Sequence, residues 1–140
     1  MKVSEAMTAQ VVTATPRATI TEIARTMTQI DSGAVPIVED GKVVGLVTDR
    51  DIVVRVVAEG GALDGPVSAV MSDDVQTCRA DDNLADAAAK MGAQQIRRLV
   101  VLDDAGKLAG ILSLGDIAVD YGAKAVGKTL EDISEPAAAH

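Results

Sequence analysis

Phenylalanine and tryptophan are absent from this chain, and Tyr121 is its single tyrosine. A hydrophobic share of 48% still suffices for a core. That core has to be filled by Val, Ile, Leu, Ala and Met, each burying less area than an aromatic ring. A small chain with such a core gains stability by pairing with a second copy, so a homodimer is expected. Cysteine is nearly absent too: Cys78 stands alone, which excludes an internal disulfide framework and fits a reducing cytoplasm. The one histidine, His140, is terminal. Neither a Ser-His-Asp nor a Cys-His arrangement can be built around it, so no catalytic residues are assigned and the chain is read as non-enzymatic. No basic-apolar leader and no apolar run near the roughly 20 residues of a membrane span is found, so a cytoplasmic, membrane-free protein is expected.

Basic charge is also scarce. Thirteen Lys and Arg face 21 Asp and Glu, for a formal net charge of −8. Residues 1–64 carry 6 basic and 9 acidic groups, and residues 65–140 carry 7 and 12. Neither half offers a surface for a nucleic-acid backbone. Arg97-Arg98 is the only adjacent basic pair, enough for one phosphate group. There is no Gly-x-x-x-x-Gly-Lys-Ser/Thr loop. Gly60 to Gly65 is a linker rather than a dinucleotide fingerprint, because no strand leads into it.

What is present is a duplication. Val43-Val44-Gly45-Leu46-Val47-Thr48-Asp49-Arg50-Asp51-Ile52 returns as Leu108 to Ile117, with Gly45 on Gly110, Thr48 on Ser113 and Asp51 on Asp116. Upstream, Val3-Ser4 falls on Val67-Ser68, Met7 on Met71, Thr13 on Thr77 and Met27 on Met91. A period this long is a duplicated domain, not a solenoid. The boundaries read from it are residues 1–60, a linker at 61–66, a second copy at 67–128 and a tail at 129–140.

Each copy follows one grammar. A lead-in (Val3 to Met7, Val67 to Met71) precedes an extended segment at Val11–Thr13 or Val75–Cys78. A helix follows, opened by a capping box at Thr19 to Glu22 and by its counterpart at Asn83 to Asp86. Ile20, Ile23, Ala24, Met27 and Ile30 form one apolar stripe, and Leu84, Ala87, Ala88 and Met91 repeat it. Strands at Ala34–Val38 and Val43–Val47 flank an Asp40-Gly41 turn; strands at Arg98–Leu102 and Leu108–Leu112 flank Asp103 to Lys107. They are so apolar that both sheet faces are expected to be buried. A second helix starts after Thr48 or Ser113 and runs to about Glu59 or Ala125. Glu135–His140 reads as a frayed end.

This β-α-β-β-α grammar, its duplication and the Gly-x-x-hydroxyl-x-x-Asp segment together resemble the CBS domain. The lead-in ending in Met-Thr or Met-Ser, the Gly-Ala-Val-Pro-Ile-Val strand and the Asp-Gly-Lys hairpin resemble it too. Two such domains form a CBS pair, or Bateman module, and the short format is similar to small stand-alone bacterial and archaeal members. The resemblance implies an α/β (α+β) fold of two tandem units about a pseudo-two-fold axis. It implies an adenosyl ligand in the cleft between the repeats, AMP, ADP, ATP or S-adenosylmethionine and less often an NAD-type molecule, and signalling by conformational change to an unidentified protein target. No cofactor is required.

Carried over residue by residue, the family pattern places Thr48 and Ser113 on a phosphate or ribose oxygen, and Asp51 and Asp116 on the ribose diol. A carboxylate has two acceptor oxygens and suits a vicinal diol. The same spacing also fits a helix cap with an acid at its third position, and the two roles do not exclude each other. The family's adenine slot falls on Val12, Thr13, Ala34, Val35 and Pro36 in copy one, and on Gln76, Thr77, Arg98, Leu99 and Val100 in copy two. For any one of these, ordinary core is the competing role. Arg97 and Arg98 stand where family members meet phosphate. Arg50, in the first turn of a helix, is poorly placed as a cation unless an anion binds there. Copy two replaces Asp49-Arg50 by Leu114-Gly115 and Gly33-Ala34 by Arg97-Arg98, so the two sites are expected to be unequal. The acidic pairs Asp73-Asp74, Asp81-Asp82 and Asp103-Asp104 read as turns rather than metal ligands. A ligand-independent dimerisation or interaction module is the alternative function. A metal- or redox-responsive protein is a third.

Overall fold

A computed structural model describes residues 1–121 and 123–134. In chain order the elements are α1 (Val3–Ala6), α2 (Ile20–Ile30), β1 (Ala34–Glu39), β2 (Lys42–Thr48), α3 (Asp49–Ile52), β3 (Thr77–Arg79), α4 (Leu84–Gln94), β4 (Arg98–Leu102), β5 (Leu108–Ser113), α5 (Leu114–Tyr121) and α6 (Ala123–Ser134). A π-helical turn, Val53–Val57, continues α3, and a 3-10 turn covers Val67–Ala69. The chain divides into two compact units: Val11–Val75, hereafter the N-unit, and Met1–Gln10 with Gln76–His140, the C-unit.

These units are not the sequence repeats. Copy one's lead-in belongs to the C-unit, where Val3 N–H donates to the Asp82 carbonyl at 2.9 Å and Thr8 N–H to the Ile111 carbonyl at 2.9 Å. Copy two's lead-in belongs to the N-unit, where Val67 N–H donates to the Ala18 carbonyl at 2.7 Å and Ser72 N–H to the Leu46 carbonyl at 2.9 Å. Val3 and Val67 are both fully buried. Each lead-in thus satisfies its backbone on the other copy's strand and loop.

In the N-unit, Thr19 opens α2 through a complete capping box, its Oγ1 accepting from Glu22 N–H at 3.1 Å. Ile20, Ile23 and Met27 are the buried stripe, but Ala24 faces solvent. β1 and β2 pair antiparallel through Asp40-Gly41, both at positive φ (53° and 78°), the type I′ geometry that Asp-Gly favours. Val11–Thr13 forms no strand: only Ala14 bridges to Ile37, in parallel. Val35, Ile37, Val47, Ile52 and Val56 close the core against α2.

The C-unit repeats this plan with a three-stranded sheet, β3 parallel to β4 and β4 antiparallel to β5. Asn83 caps α4, its side chain accepting from Ala85 N–H at 2.9 Å, but Asp86 does not complete a box. Leu84, Ala87, Ala88 and Met91 are buried, as the stripe predicts. Asp31 and Gln95 end α2 and α4 in the left-handed region. β1 and β4 are buried on both faces along Ala34–Ile37 and Leu99–Val101, whereas β2 and β5 alternate. α6 packs on α4 and runs through residues 129–134, which the sequence set apart as tail. Residues 135–140, read as frayed, lie outside the described residues.

Candidate functional site

In the C-unit the start of β4 and the end of β5 meet at one sheet end. Arg98 pairs with Ser113 in register, and Leu114 N–H donates to the Arg97 carbonyl at 2.9 Å. Ser113 then caps α5: its Oγ accepts from Asp116 N–H at 3.1 Å, and its own N–H donates to Asp116 Oδ2 at 2.9 Å. Arg97, Arg98, Ser113, Leu114, Gly115 and Ala118 line an open basin of about 420 Å³. Arg97 is exposed and Arg98 half-buried, and neither forms an ion pair among the described residues. Two guanidinium groups with unused donors, beside a hydroxyl and a helix N-terminus, form a setting for a phosphate-sized anion.

The N-unit has the corresponding junction with opposite chemistry. Ala34 pairs with Thr48, and Asp49 N–H donates to the Gly33 carbonyl at 2.9 Å. Met27, Thr28, Asp31, Ser32, Gly33 and Asp49 line a basin of about 270 Å³. Thr48 and Asp51 form the same closed box as in the C-unit, at 2.8 and 3.2 Å. Asp51 Oδ1 also faces Arg55 Nε at 3.9 Å. The basin's charged groups are two carboxylates. Arg50 is exposed and is not among its lining residues.

The remaining candidates scatter. Val35 and Leu99 are fully buried in the cores of their units, so their side chains are structural. Ala34, Pro36 and Val100 are also buried and alternate with those core residues along their strands. Val12 and Thr13 are exposed in an irregular stretch, and Gln76 is half-buried just ahead of β3. Thr77 lies in β3, where its carbonyl accepts from Lys90 Nζ. Of the candidates, the structure brings Arg97, Arg98, Ser113 and Asp116 together in one place, and Thr48 with Asp51 in another. Asp31 was missed. Its signal is its position: closing α2 in the left-handed conformation sets it beside Gly33 and Asp49, a placement residue type does not reveal.

Cys78 is buried, and burial pushes its thiol up from 9.0 to about 11, with the nearby Asp82 charge adding to the rise and Lys90 opposing it. Among the described residues, no group of three or more His, Cys, Asp or Glu is placed to hold a metal ion, and no helix is long and apolar enough to cross a membrane.

The CBS domain family model matches residues 3–58 and again 67–120. The chain belongs to the CBS domain family and carries the domain twice, as an α+β CBS pair. It is 42% identical over 133 residues to the CBS domain-containing protein YhcV of Bacillus subtilis, covering 94% of each chain. Among solved structures it resembles the CBS domain protein PAE2072 from Pyrobaculum aerophilum complexed with AMP, at 28% identity and a TM-score of 0.80 over 96% of this chain and 100% of that one. It also resembles the CBS domain pair of protein MJ0100 in complex with 5-methylthioadenosine and S-adenosyl-L-methionine, at 27% identity and a TM-score of 0.77 over 85% and 94%.

Proposed function

We propose that this chain is a non-enzymatic regulatory module that binds an adenosyl ligand at the sheet-end sites of its two repeats and signals by conformational change. The observation that carries this reading is the C-unit basin, where Arg97 and Arg98 stand beside Ser113 and form no ion pair among the described residues. Two basic side chains with no ion-pair partner among the described residues, next to a capped helix start, suit an anionic ligand better than they serve the fold. The complexes of PAE2072 with AMP and of MJ0100 with S-adenosyl-L-methionine support the adenosyl class. Such a ligand acts on a target only by binding two arrangements of the protein with different affinity. A homodimer is the assembly we expect, with a protein target downstream.

Isothermal titration of the full chain against AMP, ADP, ATP, S-adenosylmethionine and NADH tests the proposal. At least one saturable binder is expected, weakened by Asp51→Ala or Asp116→Ala. No heat with any adenosyl compound overturns it. A second reading, a ligand-independent dimerisation module, draws on the closed capping boxes, in which Thr48 with Asp51 and Ser113 with Asp116 already satisfy one another. It expects an unchanged oligomeric state in sedimentation with and without nucleotide, and no binding.

A further inference from the structure

The two sheet-end basins occupy matching places in their units but carry opposite charge. In the N-unit, Asp49 folds its carboxylate over Gly33: a Cβ at Gly33 would stand 2.8 Å from Asp49 Oδ2 and 2.9 Å from its Cγ. Asp49 Oδ1 is tied to its place by Arg50 N–H at 2.9 Å. With Asp49 in that position, a side chain at residue 33 requires the exposed Asp49 carboxylate to swing aside. In the C-unit, Leu114 replaces Asp49 and Arg97 replaces Gly33, with Arg98 where the N-unit has Ala34. Gln95 likewise stands where Asp31 contributes the N-unit's second carboxylate.

We infer that the two repeats divide adenosyl ligands by charge. The C-unit site takes the phosphorylated class, nucleoside mono- or polyphosphates, through Arg97 and Arg98. The N-unit site rejects a phosphate and accepts only an adenosyl compound whose 5′ substituent is neutral or cationic. The inference rests on the adenosyl reading above and assigns its ligand classes. The physical warrant is that carboxylates facing a phosphate repel it, and a dianion beside Asp31 and Asp49 meets no cationic side chain among the residues that line the basin. Guanidinium groups in the other basin supply charge-assisted donors at the same position. A chain built this way reads two chemically distinct signals with one duplicated domain.

The test is an amide-resolved NMR titration of the full-length chain with AMP and, separately, with adenosine, which differs only by the phosphate. AMP is expected to shift Arg97, Arg98 and Ser113–Gly115 at concentrations that leave Gly33 and Asp49 unmoved. The doubly substituted Arg97→Ala, Arg98→Ala chain is expected to lose about tenfold or more in AMP affinity. Grafting the C-unit residues onto the N-unit, Gly33→Arg together with Asp49→Leu, is expected to create an AMP response at the N-unit. The paired change is needed because an arginine introduced alone at position 33 would be neutralised by the Asp49 carboxylate beside it. Equal responses of both units to AMP, or AMP affinity indifferent to the double alanine change, overturn the division of ligands while leaving the adenosyl function standing. No response to either compound, together with no heat from the wider ligand panel, removes the function itself.

Discussion

The thioether of Met71 occupies the space that a side chain on Gly45 would need. Met7 lies across Gly110 in the same manner, with its Sδ 3.0 Å from where a Cβ would be. Each methionine comes from one repeat's lead-in and each glycine from the other repeat's second strand. The contact therefore records the exchange of lead-ins between the units. At Gly110 a further obstacle is present, since the Thr8 carbonyl oxygen stands 2.5 Å from the same Cβ position.

This difference ranks two substitutions. Gly45→Ala meets the flexible end of a methionine, whereas Gly110→Ala meets backbone held in a β-bridge. Both are expected to destabilise, within the roughly 1–3 kcal/mol of overpacking, with Gly110→Ala the larger. Urea unfolding of the two variants checks the order. Adding Met71→Ala is expected to recover part of the loss at Gly45 and none at Gly110.

The hairpin turn is a second test of backbone geometry. Gly41 sits at φ 78° with open space around it. Gly41→Ala is expected to cost about 1–2 kcal/mol from left-handed strain alone. Because nothing is touched, the loss appears as a lower denaturant midpoint with an unchanged m-value.

The capping boxes separate a structural role from a binding role. Removing the hydroxyl of Thr48 or Ser113 leaves Asp51 or Asp116 N–H without its acceptor. Thr48→Ala and Ser113→Ala are each expected to lose about 1 kcal/mol of stability. Ser113→Ala is expected, in addition, to weaken AMP binding in calorimetry, because its hydroxyl lies in the basic basin.

Cys78 makes a prediction in pH. Its folded value of about 11 lies above the ordinary 9.0, so the folded state holds its proton more tightly than the unfolded chain. That contribution to stability is complete below pH 9 and is lost as pH rises toward 11. At pH 8 the thiol is protonated and buried, so alkylation by iodoacetamide is expected to be far slower than in urea. A mass-spectrometric time course measures the difference. Fast labelling of the folded chain would contradict the burial of this residue.

Much of this fold was legible because local chemistry determined it. The Thr19 capping box, the Asp40-Gly41 turn and the apolar stripe of α4 all follow from side chains acting on backbone within a few residues of themselves. The failures are equally instructive. Ala24 fits the helical stripe of α2 but faces solvent, because larger neighbours on that face complete the core. Val11–Thr13 has strand-like residues yet forms no strand, the single bridge to β1 falling on Ala14, since pairing depends on a distant strand rather than on propensity.

Of the candidate site, the sequence by itself determined its duplication, its unequal charges and the Thr48–Asp51 and Ser113–Asp116 partnerships, because those residues lie within one turn of each other. Only the tertiary structure decided that each lead-in serves the other repeat, that Asp31 joins Asp49 around Gly33, and that Arg97 and Arg98 share a basin with Ser113. The physical reason is that those neighbours lie far apart in sequence. They are brought together by strand pairing and by buried backbone groups that must find partners, which residue type alone does not specify.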